Sequence, residues 1–278
     1  MNLNDALKYG TGYVPKRDAI FILQNVSGYT HEDILINGGM VLSGHAIIEY
    51  KSKIKRLVNG EPLQYVLGKW DFMGLEFITD RRALIPRPET ELLVEAVLEH
   101  IANKHCLDIL DVCTGSGCIG LSIAQLANFR HNITLADVSQ DALELAAENL
   151  SAIKKHHSAS INNVKIVKSN LLQDVPGTYD IIVSNPPYIL TGEMQTLPEN
   201  VKNHEPHLAL DGGKDGLDIY RALIPQSYEK LNQNGMLFLE IGSSGTKELM
   251  QQAGFCKIKI IKDYAGHNRI LMGAKKNV

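Results

Sequence analysis

The chain has 278 residues, 44% hydrophobic and 21% charged; that length fits one large domain or two modest ones, and that balance excludes global disorder. Its 28 Lys and Arg against 31 Asp and Glu leave a net charge of -3, which argues against coating or stably binding nucleic acid, and no apolar run reaches the roughly 18 residues of a bilayer span. Met1-Asn2-Leu3-Asn4-Asp5 has no leader character, and Cys106, Cys113, Cys118 and Cys256 lack Cys-x-x-Cys spacing, so a cytoplasmic protein with reduced thiols, no structural zinc and no membrane association is expected.

In chain order, residues 1–60 are predicted to form short helices separated by glycine-containing turns. In the clearest, Ile47, Tyr50, Ile54, Leu57 and Val58 share one face, Lys51, Lys53, Lys55 and Arg56 lie elsewhere, and Asn59-Gly60 supplies a stop. From 63 to 78, aromatic and β-branched residues broken by Gly68 and Gly74 predict a small hairpin. Pro86 and Pro88 precede a helix lined by Leu93, Ala96, Val97 and Ile101. Beyond residue 106, strands are predicted at 107–112, 133–136, 164–167, 179–183, 236–241, 258–261 and 270–272. Helices fall at 117–127 and 140–150, the second with Ala142, Leu145, Ala146 and Asn149 facing inward. The alternation predicts an α/β fold whose mainly parallel sheet is covered on both faces, with ligands at the loops after Val112, Ala136 and Val183.

Gly115-Ser116-Gly117-Cys118-Ile119-Gly120 follows a predicted strand and opens a helix, and Asp137 ends the next strand. This pattern fits a dinucleotide site, where glycines admit the ligand backbone and the carboxylate takes ribose hydroxyls; it equally fits an S-adenosylmethionine site. Charge favours the second. Asp111, just before the loop, opposes a pyrophosphate dianion but suits a ligand carrying a sulfonium and an ammonium. Asp137 has a plainer use as well, complementing the dipole of a helix capped by Ser139.

Ser184-Asn185-Pro186-Pro187-Tyr188 leaves the strand at 179–183. Two prolines fix two φ angles and remove two donors, giving a stiff loop with free carbonyls. An amide or exocyclic amine nitrogen is a poor nucleophile because its lone pair is delocalised. Hydrogen bonds accepted from its N–H groups by the Asn185 side-chain oxygen and the Pro186 carbonyl would localise electron density and aim it at a methyl, with Tyr188 stacked on the flat group.

With these motifs the chain resembles the HemK/PrmC family of peptide-chain release factor glutamine N5-methyltransferases over nearly its whole length. The resemblance rests on Gly60-Glu61-Pro62-Leu63-Gln64-Tyr65 with Gly68 and Phe72, on Leu84-Ile85-Pro86-Arg87-Pro88-Glu89-Thr90-Glu91, on the loop at 111–117, on the Asn-Pro-Pro-Tyr segment, and on Glu205-Pro206, Ala209-Leu210, Gly212-Gly213 and Asp215-Gly216-Leu217. Asn-Pro-Pro-Tyr is shared with adenine-N6 DNA methylases and some RNA methyltransferases; the proline-rich segment at 84–91 is more specific, and looks more like the release-factor enzyme than its ribosomal-protein sister family. The resemblance implies a helical substrate-docking domain at 1–62, a β-hairpin linker at 63–84 and a class I, Rossmann-like S-adenosylmethionine-dependent methyltransferase domain at 85–278. It implies, as substrate, the glutamine of the Gly-Gly-Gln loop of bacterial-type release factors. By family position Thr114, Gly115, Ser116 and Gly117 hold the methionine part of the cofactor, Asp137 the ribose, and Asn185, Pro186, Pro187 and Tyr188 the glutamine amide. Cys113 stands where the family has a glycine, which is tolerable only if φ there is negative. Asn170 replaces an aspartate that contacts the adenine amino group; an amide oxygen still accepts that bond, and Leu171 beside it supplies an apolar wall.

Other features fit plainer uses. His204 and His207 flank a proline and lack a third ligand, and His156-His157 reads as a solvated loop. Arg87 suits either the cofactor carboxylate or an anchor for the linker. The lysines at 51–56 suit a solvated helix face or a docking patch. A monomeric enzyme is expected, against two rivals: a nucleic-acid base N-methyltransferase, and a non-catalytic module docking on the translation termination complex.

Overall fold

The computed structural model describes residues 1–156, 161, 163–242 and 244–276; His157 of the predicted histidine loop lies outside them. The chain divides into two compact units, Met1–Trp70 with Pro198–His204, and Asp71–Leu197 with Glu205–Val278.

The first unit contains α1 (Leu3–Thr11), α2 (Lys16–Ser27), α3 (His31–Ile36), α4 (Gly44–Val58) and α5 (Leu63–Leu67), with the short α9 (Glu199–Lys202) from the later segment. Local signals set these starts. Asn2 with Asp5, and Thr30 with Asp33, form reciprocal capping boxes, and Ser43 accepts from the Ala46 amide. The apolar faces bury Leu3, Ala6, Ile20, Leu23, Ile34, Tyr50 and Ile54 in one core. Here the hairpin expectation is corrected. Residues 63–67 are helical because Pro62 opens the turn and Gly68, at φ 78°, closes it, and Leu63 and Val66 join the helical core. The strands are β1 (Lys69–Phe72) and β2 (Leu75–Ile78), joined through Met73 and Gly74, both with positive φ as a tight hairpin requires. The stretch read as linker from residue 63 therefore contributes its first residues to the helical unit.

In the second unit α6 (Pro88–Ile101), β3 (Asp108–Val112), α7 (Cys118–Leu126), β4 (Asn132–Asp137), α8 (Gln140–His156), β5 (Val164–Lys168) and β6 (Tyr179–Ser184) follow the predicted alternation. After them come 3-10 turns at Thr191–Thr196 and His207–Ala209, then α10 (Asp218–Lys230), β7 (Leu231–Glu240), α11 (Thr246–Gln252), β8 (Cys256–Lys262) and β9 (Asn268–Ala274). The strand order is β5-β4-β3-β6-β7-β9-β8, parallel except where β9 runs antiparallel to both neighbours. Period-2 alternation splits the core cleanly. Ile109, Ile133, Leu135, Ile181, Val183 and Phe238 pack on one face with α6 and α7, while Leu110, Val112, Ile182, Leu237 and Leu239 face α10. The chain runs outward from β3 to β4 and β5, then returns to β6 on the other side. That reversal opens a crevice at the carboxyl ends of β3 and β6. Among the described residues no helix is long and apolar enough to cross a membrane.

Candidate functional site

A cavity of about 310 Å³ occupies that crevice, entirely within the second unit. The loop after β3 contributes Cys113, Thr114, Gly115 and Ser116; β4 ends in Asp137; the turn after β5 brings Asn170 and Leu171; and Asn185 and Pro187 follow β6. Asp111, Gly117, Pro186 and Tyr188, also expected here, do not line it.

Asp111 is fully buried beneath the loop. Its Oδ2 accepts from Thr114 Oγ1 at 2.6 Å and from the Gly120 amide at 2.9 Å, while Oδ1 has no partner among the described residues. Burial pushes its carboxyl up to about 7, so near neutrality it is only partly charged. The charge argument drawn from Asp111 is thereby weakened, and the acidic group at the cavity wall is Asp137. The Asp137 oxygens accept from the amides of Gly115 and Ser139, each at 2.9 Å, so this carboxylate pins both loops, while desolvation raises its pKa. Ser139 Oγ accepts from the Ala142 amide and caps α8, so the plainer use of this segment is present as well.

Gly117, the residue before α7, has φ 81°, and a Cβ on Gly120 would stand 2.3 Å from Leu135, so glycine is required at both. Cys113, expected to have negative φ, has φ 57°, and Leu171 has φ 53°. Each holds a side chain in the left-handed region at a cost of about 1–2 kcal/mol, a strain that cavity-lining segments often store. Burial pushes the Cys113 thiol well above its usual range and that of Cys118 up to about 12, which leaves both unreactive as nucleophiles.

The Asn-Pro-Pro-Tyr segment is fixed from several directions. Ser184 Oγ donates to the Val112 carbonyl at 2.6 Å. Asn185 Nδ2 donates to Thr90 Oγ1 at 3.1 Å, and Thr90 Oγ1 donates to Glu240 Oε2 at 2.6 Å. The Tyr188 hydroxyl lies 3.4 Å from Glu240 Oε1. Burial pushes the Tyr188 phenol up to about 12 and raises the Glu240 carboxyl. Glycine-rich segments named only for resemblance now have a physical use. A Cβ on Gly212 would be 2.6 Å from Tyr188 Cα and one on Gly216 2.5 Å from its carbonyl oxygen; Gly242, which the sequence reading did not single out, acts alike, its Cβ falling 2.2 Å from Tyr188 Cδ2.

The sequence reading missed other lining residues, among them Arg82, Ala83, Thr90, Val138 and Ile219. Arg87 lines the cavity and donates to Glu205 Oε1 at 2.5 Å; Glu205, itself buried, also accepts from the Ile85 amide, so Arg87 at least anchors this strand-to-helix segment. Arg82 is paired with Asp80 and Glu148. Both cavity arginines are thus neutralised, and no lysine lines the cavity among the described residues, which leaves a poor seat for a pyrophosphate. The donor set does fit S-adenosylmethionine: a carboxylate for ribose hydroxyls, the Asn170 amide at the rim, apolar walls from Val138, Leu171 and Ile219, and a loop opened by left-handed glycines.

Comparisons with known proteins agree with the architecture and extend it. Residues 88–213 match the family described as Methyltransferase small domain, and residues 11–68 match the PrmC N-terminal domain. A "Release factor glutamine methyltransferase" of Clostridium botulinum is 39% identical over 95% of this chain and 89% of its own length. That of Clostridium acetobutylicum is 35% identical over 95% and 88%, and that of Borreliella burgdorferi 36% over 98% and 94%. Among solved structures, a methyltransferase from Pyrococcus furiosus superposes with TM-score 0.53 at 22% identity, covering 82% of this chain and all of that one, which supports the fold alone.

Proposed function

The chain belongs to the release factor glutamine methyltransferase family, and from that premise we propose that it transfers a methyl group from S-adenosylmethionine to the side-chain amide nitrogen, N5, of the glutamine in the Gly-Gly-Gln motif of peptide-chain release factors. The observation that carries this reading is the stiff Asn-Pro-Pro-Tyr segment, whose Asn185 lines the same cavity as Asp137 and the glycine loop. Thr114, Gly115, Ser116 and Gly117 form the loop against which the methionine part would lie, with Cys113 at its start and Asp111 holding it from below. Asp137 takes the ribose hydroxyls, and Asn170 and Leu171 the adenine.

The cofactor supplies an electrophilic methyl on a sulfonium. The protein supplies orientation. The Asn185 side-chain oxygen and the Pro186 carbonyl accept from the two amide hydrogens of the incoming glutamine, which turns its nitrogen toward the methyl and opposes delocalisation of its lone pair. Pro187 keeps the loop stiff, and Tyr188, seated against Gly242, supports the flat amide. The C–S bond breaks as the N–C bond forms, and the surplus proton leaves the nitrogen for water, so no strong base is required. The enzyme is read as a cytoplasmic monomer whose partner is a protein loop, for which a net charge of -3 is suitable.

Incubation with labelled S-adenosylmethionine and either purified release factor or bare oligonucleotide separates this reading from a base methyltransferase. Label in the release factor alone is expected; label in the oligonucleotide would overturn it. Calorimetric binding of the cofactor is expected too, and its absence would favour a non-catalytic docking module.

A further inference from the structure

Three segments far apart in the chain meet behind Asn185. Thr90 lies in the first turn of α6 and is buried, Asn185 follows β6, and Glu240 ends β7 and is 1% exposed. Leu239 pairs with Ser184 across the parallel strands, so Glu240 and Asn185 leave the sheet as neighbours.

With Glu240 ionised, valence fixes the hydrogen-bond directions in this cluster. A carboxylate can only accept, so the Thr90 hydroxyl spends its one proton on Glu240 Oε2 at 2.6 Å. Its lone pairs are then the only groups it can offer Asn185, and they accept from Nδ2 at 3.1 Å. If the Asn185 amide were turned over, its oxygen would face a hydroxyl oxygen with no proton left to donate. Two acceptors in contact without a hydrogen between them, one of them on the buried Thr90, are costly. The pair therefore holds the amide with nitrogen toward Thr90 and oxygen away from it. The same carboxylate reaches the Tyr188 hydroxyl with its other oxygen, at 3.4 Å.

We propose that Thr90 and Glu240 are positioning residues for methyl transfer: Glu240 polarises the Thr90 hydroxyl, which in turn fixes the Asn185 amide so that its oxygen is presented to the substrate nitrogen. The inference rests on the functional reading above, and deepens it. Neither residue is required to touch cofactor or substrate.

The test is a mutant cycle on the full-length enzyme, reading kcat, KM for release factor and the cofactor dissociation constant. Thr90→Val keeps the shape and removes the hydroxyl, Glu240→Leu removes the acceptor, and Thr90→Ser keeps the hydroxyl. Thr90→Val and Glu240→Leu are expected to lower kcat by roughly 10- to 100-fold, the scale of a small misplacement of a reacting group. KM and cofactor affinity should stay within about twofold, the pattern of an interaction realised only in the transition state, and Thr90→Ser should recover most of the rate. Adding Thr90→Val to Asn185→Ala should cost nothing further, because Thr90 acts through Asn185. A merely structural role would instead multiply the two losses, and that result overturns the proposal. So does a wild-type kcat in Thr90→Val while Asn185→Ala is impaired. If Glu240→Leu does not fold, Thr90→Val and its combination with Asn185→Ala decide the matter alone. Full activity of Asn185→Ala itself would remove the functional reading, and is distinguishable from both.

Discussion

Asp111 and Asn185 are the residues at which environment decides chemistry. Burial pushes the Asp111 carboxyl up to about 7, against about 3.9 for an unfolded aspartate. Between those values the folded chain keeps a proton that the unfolded chain has released. The favourable contribution is thus complete below about pH 4 and is lost as pH rises through about 7, at up to about 1.4 kcal/mol per pH unit. Asp137 and Glu240, also raised by burial, add slopes of the same sign. Asp111→Asn cannot ionise, so its stability relative to wild type should rise between pH 5 and pH 8 in denaturant unfolding; parallel curves would contradict the burial account. For Asn185→Ala the expectation is a drop in kcat of roughly 100-fold with cofactor affinity nearly unchanged, since orientation acts in the transition state. Equal losses in both would make Asn185 mainly a cofactor residue. The motif residues could be read because the glycine loop and Asn-Pro-Pro-Tyr are contiguous. Thr90 and Glu240, 150 residues apart in sequence, could not, since only the packing of α6 against β7 brings them together. The positive φ of Cys113 was equally hidden, because a cysteine side chain does not itself favour the left-handed region.

At the scale of elements, strong periodicity carried far. The apolar runs identify β3, β4 and β6 because strands buried on both faces are continuously hydrophobic, whereas β5, at the sheet edge, is marked by a shorter run of half-buried valine and isoleucine. Weak or interrupted patterns did not carry. α10 contains Pro225, and β7 extends back to Leu231 through a register irregularity opposite 179–181, so both were missed or shortened. Residues 63–67 were misread because aromatic and β-branched composition outweighed the Pro62 and Gly68 boundaries of a single helical turn. The segment after β7 has a role that composition cannot display: Gly242 leaves room for the Tyr188 ring. Gly242→Ala would place a Cβ 2.2 Å from Tyr188 Cδ2 and force the ring to move. A fall in kcat of about tenfold or more with retained cofactor binding is expected from that displacement. Wild-type kinetics in this variant would show that the ring's seat does not matter.

For the whole molecule, the charge sum and the two-unit division acquire their meaning from the site. A net charge of -3 is poor for gathering phosphates but no obstacle to a protein-loop substrate, and the paired arginines of the cavity repeat that balance locally. The class of fold was legible from strand and helix alternation, and the acceptor chemistry from one stiff loop. The extent of the helical unit was not, because residues 198–204 join it from more than a hundred positions downstream. Every role proposed for the site converges on methyl transfer to one glutamine nitrogen. Its most direct measurement is fragment-ion mass spectrometry of release factor after incubation with the enzyme and S-adenosylmethionine, beside a release factor carrying Gln→Ala in its Gly-Gly-Gln motif. A single added methyl on that glutamine side chain, absent from the substituted factor, is the predicted result; methyl transfer that persists in the substituted factor would contradict it.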